Sequence, residues 1–258
     1  LKLIANGSSN GIDTTYFRPD VIGEKEKNEL KKELGIGEED FVFVFVGRLV
    51  GDKGINELVS AFSQLTTHNP KLITHNPKLL LVGPLETDLD PLNPETLKEI
   101  ESNPDIVSVG FQKDVRHYFA VSSALVFPSY REGFPNVVMQ AGAMGLPAIV
   151  SDINGCNEII VEGENGTIIP PKNAEALYTA MQNIMNDGAY YDHLAANARR
   201  MIQSRYEQTV VWQAILEEYR KINSSQGNNI KTLGITDGLV FTVLHYIKHF
   251  LANGAGIR

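Results

Sequence analysis

Two cations stand five residues apart in one loop: Arg48 and Lys53, within Gly47-Arg48-Leu49 and Asp52-Lys53-Gly54, directly after the apolar run 41–46. A guanidinium offers a planar fork that matches phosphate oxygens, and an ammonium adds a mobile point charge. Taken alone, the pair reads equally well as an anion-binding loop or as two solvated surface charges. A second segment, Pro128-Ser129-Tyr130-Arg131-Glu132-Gly133-Phe134-Pro135-Asn136-Val137, sets a carboxylate and a glycine ahead of a helix. Pro135 suits the first helical position. The unpaired amides of that first turn, with the helix dipole, make an anion site. Glu132 can accept hydrogen bonds from sugar-like hydroxyls, and Gln140 lies eight residues further on, inside the helix. Gly83, in Leu81-Val82-Gly83-Pro84, permits close backbone approach at another strand end.

These segments need a frame to bring them together. The run Phe41 to Val46 has no polar break, which marks a strand buried on both faces. Helices are expected over 24–34, 55–65, 94–101, 114–121, 135–144 and 156–161, and strands over 79–82, 106–109, 124–127, 148–150 and 167–169. Six strands alternating with helices imply an α/β fold: a parallel sheet with helices on both faces. In such sheets ligands bind outside the carboxyl ends of the strands, where all three candidate segments fall. Residues 174–222 read as helical, with breaks near Gly188 and Ser204. A polar linker from 223 leads to a tail whose Val240, Val243, Leu244, Ile247 and Leu251 share one helical face.

The 258 residues are 43% apolar with a net charge of −8, which argues against a nucleic-acid footprint. The single cysteine, Cys156, excludes an intrachain disulfide and reads as a small packing residue. The six histidines have no motif context, and neither a metal set nor a cofactor motif is recognisable. The heptad starting at Thr67 recurs at Thr74, a tandem copy expected to lengthen the loop before the second strand. No run reaches the roughly 20 apolar residues of a membrane span.

Taken together, in order and spacing, the motifs become specific. Residues 40–185 resemble the C-terminal domain of retaining GT-B glycosyltransferases of family GT4, the group 1 glycosyl transferases. The likeness is carried by Gly47, Arg48, Lys53 and Gly54, by Gly110-Phe111 and Asp114-Val115, and by Pro128-Ser129 with Glu132-Gly133-Phe134-Pro135. Gly145-Leu146-Pro147-Ala148-Ile149-Val150-Ser151-Asp152 continues it, and Asn10-Gly11-Ile12-Asp13 with Phe17 resembles the interdomain linker.

The resemblance implies a Rossmann-like donor domain at 21–222, after a linker remnant at 1–20 and before a linker and amphipathic tail at 223–258. The N-terminal acceptor domain is expected to be absent. Arg48 and Lys53 would hold the diphosphate of a UDP- or GDP-linked sugar, and Glu132 the sugar. Gly47 and Gly83 would let the backbone approach the donor, and Phe111 and Gln112 would meet the base. Gly133, Phe134, Pro135, Asn136 and Val137 would contact sugar and phosphates. The family pattern has a second glutamate where this chain has Gln140; a ribose hydroxyl can still donate to the amide, at a loss of about 1 kcal/mol. The implied activity is hexosyl transfer to a saccharide or lipid-linked saccharide, in the cytoplasm with peripheral association at the inner membrane face. Alternatives are a catalytically incomplete nucleotide-sugar-binding module, or an epimerase or phosphorylase on the same fold.

Overall fold

Strand β1 (Asp40–Val46) takes up the apolar run, and Phe41 to Phe45 are all buried. β-Branched and aromatic side chains on both faces leave it no solvent side, so it lies mid-sheet. In the computed structural model, which describes residues 5–8, 10–67 and 75–226, helix α1 (Glu24–Glu33) precedes it. Then follow α2 (Ile55–Thr67), β2 (Asn76–Val82), α3 (Pro94–Ser102), β3 (Ile106–Ser108), α4 (Arg116–Ala120) and β4 (Ala124–Phe127). The series continues with α5 (Asn136–Ala143), β5 (Ala148–Ser151), α6 (Cys156–Ile159), β6 (Gly166–Ile169), α7 (Ala174–Asn186), α8 (Gly188–Tyr206) and α9 (Gln208–Gln226).

The six strands form one parallel sheet in the order β3-β2-β1-β4-β5-β6. The crossovers run outward from β1 on one side and from β4 on the other, and the right-handed rule for such connections puts their helices on opposite faces. α7 then packs on α2, and α8 on α5. α2 buries Ile55, Leu58, Val59, Phe62 and Leu65 at helical spacing, each worth roughly 1.5–3 kcal/mol of burial.

Several boundaries differ from expectation. β2 begins at Asn76, so the second heptad copy supplies strand rather than only loop. Pro77 is tolerated there because its nitrogen points toward the β3 side, as the Leu79 amide does in bonding Asp105, and β3 pairs only with Leu79 to Leu81. The expected break near Ser204 lies at Glu207, since the Ser204 hydroxyl donates back to the Met201 carbonyl and stays helical. α9 runs to Gln226, past the expected end at 222. Residues 1–4, 68–74 and the apolar positions 240–251 lie outside the described residues.

The chain divides into two compact units, Leu1–Trp212 and Gln213–Arg258. In the first, the segment from Ile12 to Phe17 is pinned where α8 meets α9. Ile12 bridges Glu207, the Thr14 hydroxyl bonds the Glu207 carboxylate, and the Arg199 guanidinium donates to the carbonyls of Thr14, Phe17 and Ala143. Of the second unit, residues 213–226 are described, and they are helical. No helix of the described residues is long and apolar enough to cross a membrane.

Candidate functional site

The strand order reverses between β1 and β4, and such a switch point opens a crevice outside the carboxyl ends of the two strands. The loops leaving them are the ones that carry Lys53 and Glu132. Lys53 ends a 3-10 turn, Gly51–Lys53, and Gly54 enters α2 with φ +72. A Cβ on Gly54 would lie 2.2 Å from the Pro128 carbonyl oxygen, so only glycine lets α2 start against the end of β4. The Tyr130 amide donates to the Asp52 carbonyl at 2.9 Å and stitches the loops together. Lys53 Nζ therefore meets Glu132 Oε1 at 2.5 Å, with the two side chains 15% and 17% exposed. The buried Ser129 hydroxyl donates to the same Oε1 at 2.9 Å. Both donors use one oxygen, and Oε2 has no protein partner among the described residues.

Arg48 is engaged elsewhere. Its Nη1 lies 3.0 Å from Glu86 Oε2, on a pair left half exposed. The ends of β1 and β2 meet here: the Gly47 amide donates to the Val82 carbonyl, and a Cβ on Gly83 (φ +149) would lie 1.8 Å from the Gly47 oxygen. The Gly83 amide reaches on to the Gly110 carbonyl, which brings the end of β3 alongside. Phe111 follows, 74% exposed, while Gln112 folds its amide back onto the Val109 carbonyl at 2.8 Å.

Pro135 is the N-cap of α5, not its first residue: its ψ of 109° is extended, and Asn136 opens the helix. Pro135 has no N–H to give, and the amides of Asn136 and Val137 have no acceptor among the described residues. Asn136, Val137 and Gln140 share one face, opposite the buried Val138, Met139, Ala141 and Gly142. Gly133 has open space where a Cβ would stand, and the Phe134 ring meets Tyr206 edge-on.

Cys156 is fully buried, and that burial pushes its thiol up to about 12, with the Glu132 carboxylate adding to the rise and Lys53 opposing it. Burial, then the hydrogen bond to Glu57, pushes the Tyr130 phenol up strongly. The Arg116 side chain, hydrogen-bonded to Asp114, holds that carboxyl below its usual range. Sequence reasoning missed three residues. Ser129 was part of a motif without a role. Glu86 and Asp90 had no signal: Asp90 accepts the Asp52 amide at 2.5 Å and the Gly51 amide at its carbonyl, which holds the turn that carries Lys53. No metal-binding set of His, Cys, Asp or Glu occurs among the described residues.

The family model described as glycosyl transferases group 1 matches residues 26–201. The chain belongs to the group 1 glycosyl transferases. Among curated relatives of this group 1 chain, the capsular polysaccharide biosynthesis glycosyltransferase CapM of Staphylococcus aureus is 28% identical over 88% of the chain and 57% of CapM. The putative teichuronic acid biosynthesis glycosyltransferase TuaC of Bacillus subtilis is 26% identical over 83% of the chain and 50% of TuaC. The chain thus spans about half the length of these relatives. The Anabaena Alr3699/HepE structure in complex with UDP and glucose superposes with a TM-score of 0.70 at 21% identity, over 82% of this chain and 55% of that one. The C-terminal domain of a group 1 protein, LpcC of Francisella tularensis, superposes at 0.64 and 22% identity, over 76% of this chain and 99% of that domain. These likenesses establish a GT-B-like fold, with the Rossmann-like sheet as its unit.

Proposed function

We propose that this chain is the donor-binding half of a retaining glycosyltransferase, taking a nucleotide-diphosphate sugar for hexosyl transfer to an acceptor hydroxyl. The observation that carries the reading is the convergence at the switch point: Lys53 paired to Glu132 beside an open α5 N-terminus, with Arg48 on the same loop. Arg48 and Lys53 receive the diphosphate, and the amides of Asn136 and Val137 add donors aimed at negative charge. Glu132 turns its free Oε2 to a sugar hydroxyl. As the bond between the anomeric carbon and the diphosphate oxygen breaks, negative charge grows on the leaving group, which Arg48, Lys53 and the helix terminus stabilise. The acceptor hydroxyl attacks from that same face, and its proton passes to the departing phosphate oxygen. No cofactor, metal ion or protein nucleophile enters this scheme.

The names of relatives support a saccharide acceptor. One is a UDP-Gal:alpha-D-GlcNAc-diphosphoundecaprenol galactosyltransferase of Escherichia coli, 27% identical over 69% of this chain. By that analogy we assign the whole protein to polysaccharide or glycolipid assembly at the inner face of the cell membrane. A second reading follows from the half-length match: the chain alone binds donor and transfers nothing.

Calorimetric titration with UDP, GDP and ADP and their sugar conjugates tests the proposal. Saturable binding of one nucleotide, weakened at least tenfold by Arg48→Ala, supports it. Binding of none, or binding indifferent to Arg48→Ala, ends it.

A further inference from the structure

The inference rests on the donor-site reading. We propose that Glu86 is an internal counter-ion for Arg48, which a donor diphosphate must displace, so that Glu86 holds donor affinity down. The pairing is built into the backbone. Beyond the last β1–β2 ladder pair, Val46 with Val82, the two chains stay together through a bridge between Leu49 and Leu85. The Leu49 amide donates to the Pro84 carbonyl at 2.8 Å, and the Glu86 amide approaches the Leu49 carbonyl at 3.5 Å. Residues 48 and 86 flank this bridge, and their side chains meet at 3.0 Å.

The two cations assigned to the diphosphate thus each hold a glutamate, and the four side chains sum to zero charge. The two pairs differ in access. Lys53 and Glu132 are largely buried, whereas Arg48 is 49% and Glu86 32% exposed, so an anion from solvent can reach the Arg48 pair directly. One guanidinium fork serves carboxylate and phosphate alike, which makes Glu86 and a phosphate oxygen competing partners. A half-exposed ion pair is worth little, so removing the competitor should tighten binding by about two- to fivefold.

UDP, GDP and ADP are titrated calorimetrically into the 258-residue wild-type chain, Glu86→Gln, Arg48→Ala and the double variant, at concentrations high enough to follow the weaker binders. Glutamine keeps the shape and removes the charge, and the position is exposed enough to accept it. The expected result is a two- to fivefold tighter dissociation constant for Glu86→Gln, absent when Arg48 is already alanine. Unchanged or weaker binding by Glu86→Gln, with wild type still binding, overturns the counter-ion role and leaves the donor-site reading standing. Full tightening in the Arg48→Ala background also overturns it, because Glu86 would then act as a general negative charge. If neither wild type nor Glu86→Gln binds UDP, GDP or ADP, the donor-site reading fails and this inference falls with it.

Discussion

Glu132 is polarised by its surroundings: Lys53 and Ser129 both claim Oε1, which leaves Oε2 to whatever enters the crevice. A carboxylate held through one oxygen cannot rotate freely, so its second oxygen is aimed before a ligand arrives. Ser129 is therefore a positioning residue, and its removal should be felt through the sugar rather than the phosphates. In Ser129→Ala the carboxylate must be ordered on binding, at about 0.5–1.5 kcal/mol, which should weaken a nucleotide sugar by about two- to tenfold. The free nucleoside diphosphate, held by Arg48 and Lys53, should change by less than about twofold. Calorimetry with the two ligands side by side separates these outcomes. Equal losses for both would mean that Ser129 supports the loop as a whole, not the direction of Glu132.

At the scale of elements, precision at the site depends on how closely strand ends approach one another. Gly83 is the tightest such point, with φ +149 and no room for a Cβ against the Gly47 oxygen. Gly83→Ala should cost about 2–3 kcal/mol in urea unfolding by forcing the β1 and β2 ends apart. Gly133→Ala, where a Cβ meets nothing, should leave stability unchanged and serves as the control. An unaltered midpoint in Gly83→Ala would mean that the two strand ends separate without cost. The same contrast explains what could be read from the sequence. The run 41–46 announced a strand buried on both faces, and the alternation that follows it implied the parallel sheet. Arg48, Lys53 and Glu132 were visible because each sits just after a strand. Glu86 and Asp90 were not, because their roles arise from side-chain contacts to residues 38 positions away that no local periodicity encodes. Pro135 was misplaced by one position, since a proline fits both N-cap and first-turn geometry and only ψ distinguishes them.

For the molecule as a whole, Cys156 links stability to the crevice. Its thiol is fully buried at the start of α6, within the electrostatic reach of Glu132 and Lys53. The folded thiol titrates at about 12, against an ordinary 9.0, so the unfolded chain ionises first. The contribution to stability is therefore complete below pH 9.0 and is lost as pH rises through about 12. Between pH 7 and 9 the native thiol is both covered and protonated, and a thiol reagent should reach it only when the fold opens. If reclosing outpaces labelling, the labelling rate reports the open population. A nucleotide bound only by the native state, at about 100 times its dissociation constant, stabilises it by about 2.7 kcal/mol. Labelling should then slow by roughly a hundredfold. Arg48→Ala, at the same nucleotide concentration, should lose most of that protection although residue 48 is not among the charges that shift the thiol. Stopped samples read by mass spectrometry give the rates directly, because the chain has one cysteine. Labelling that ignores a nucleotide already shown by calorimetry to bind would place Cys156 in a local opening that spares the crevice. Slowing in step with occupancy would show instead that the sheet, α6 and the donor site open as one cooperative unit.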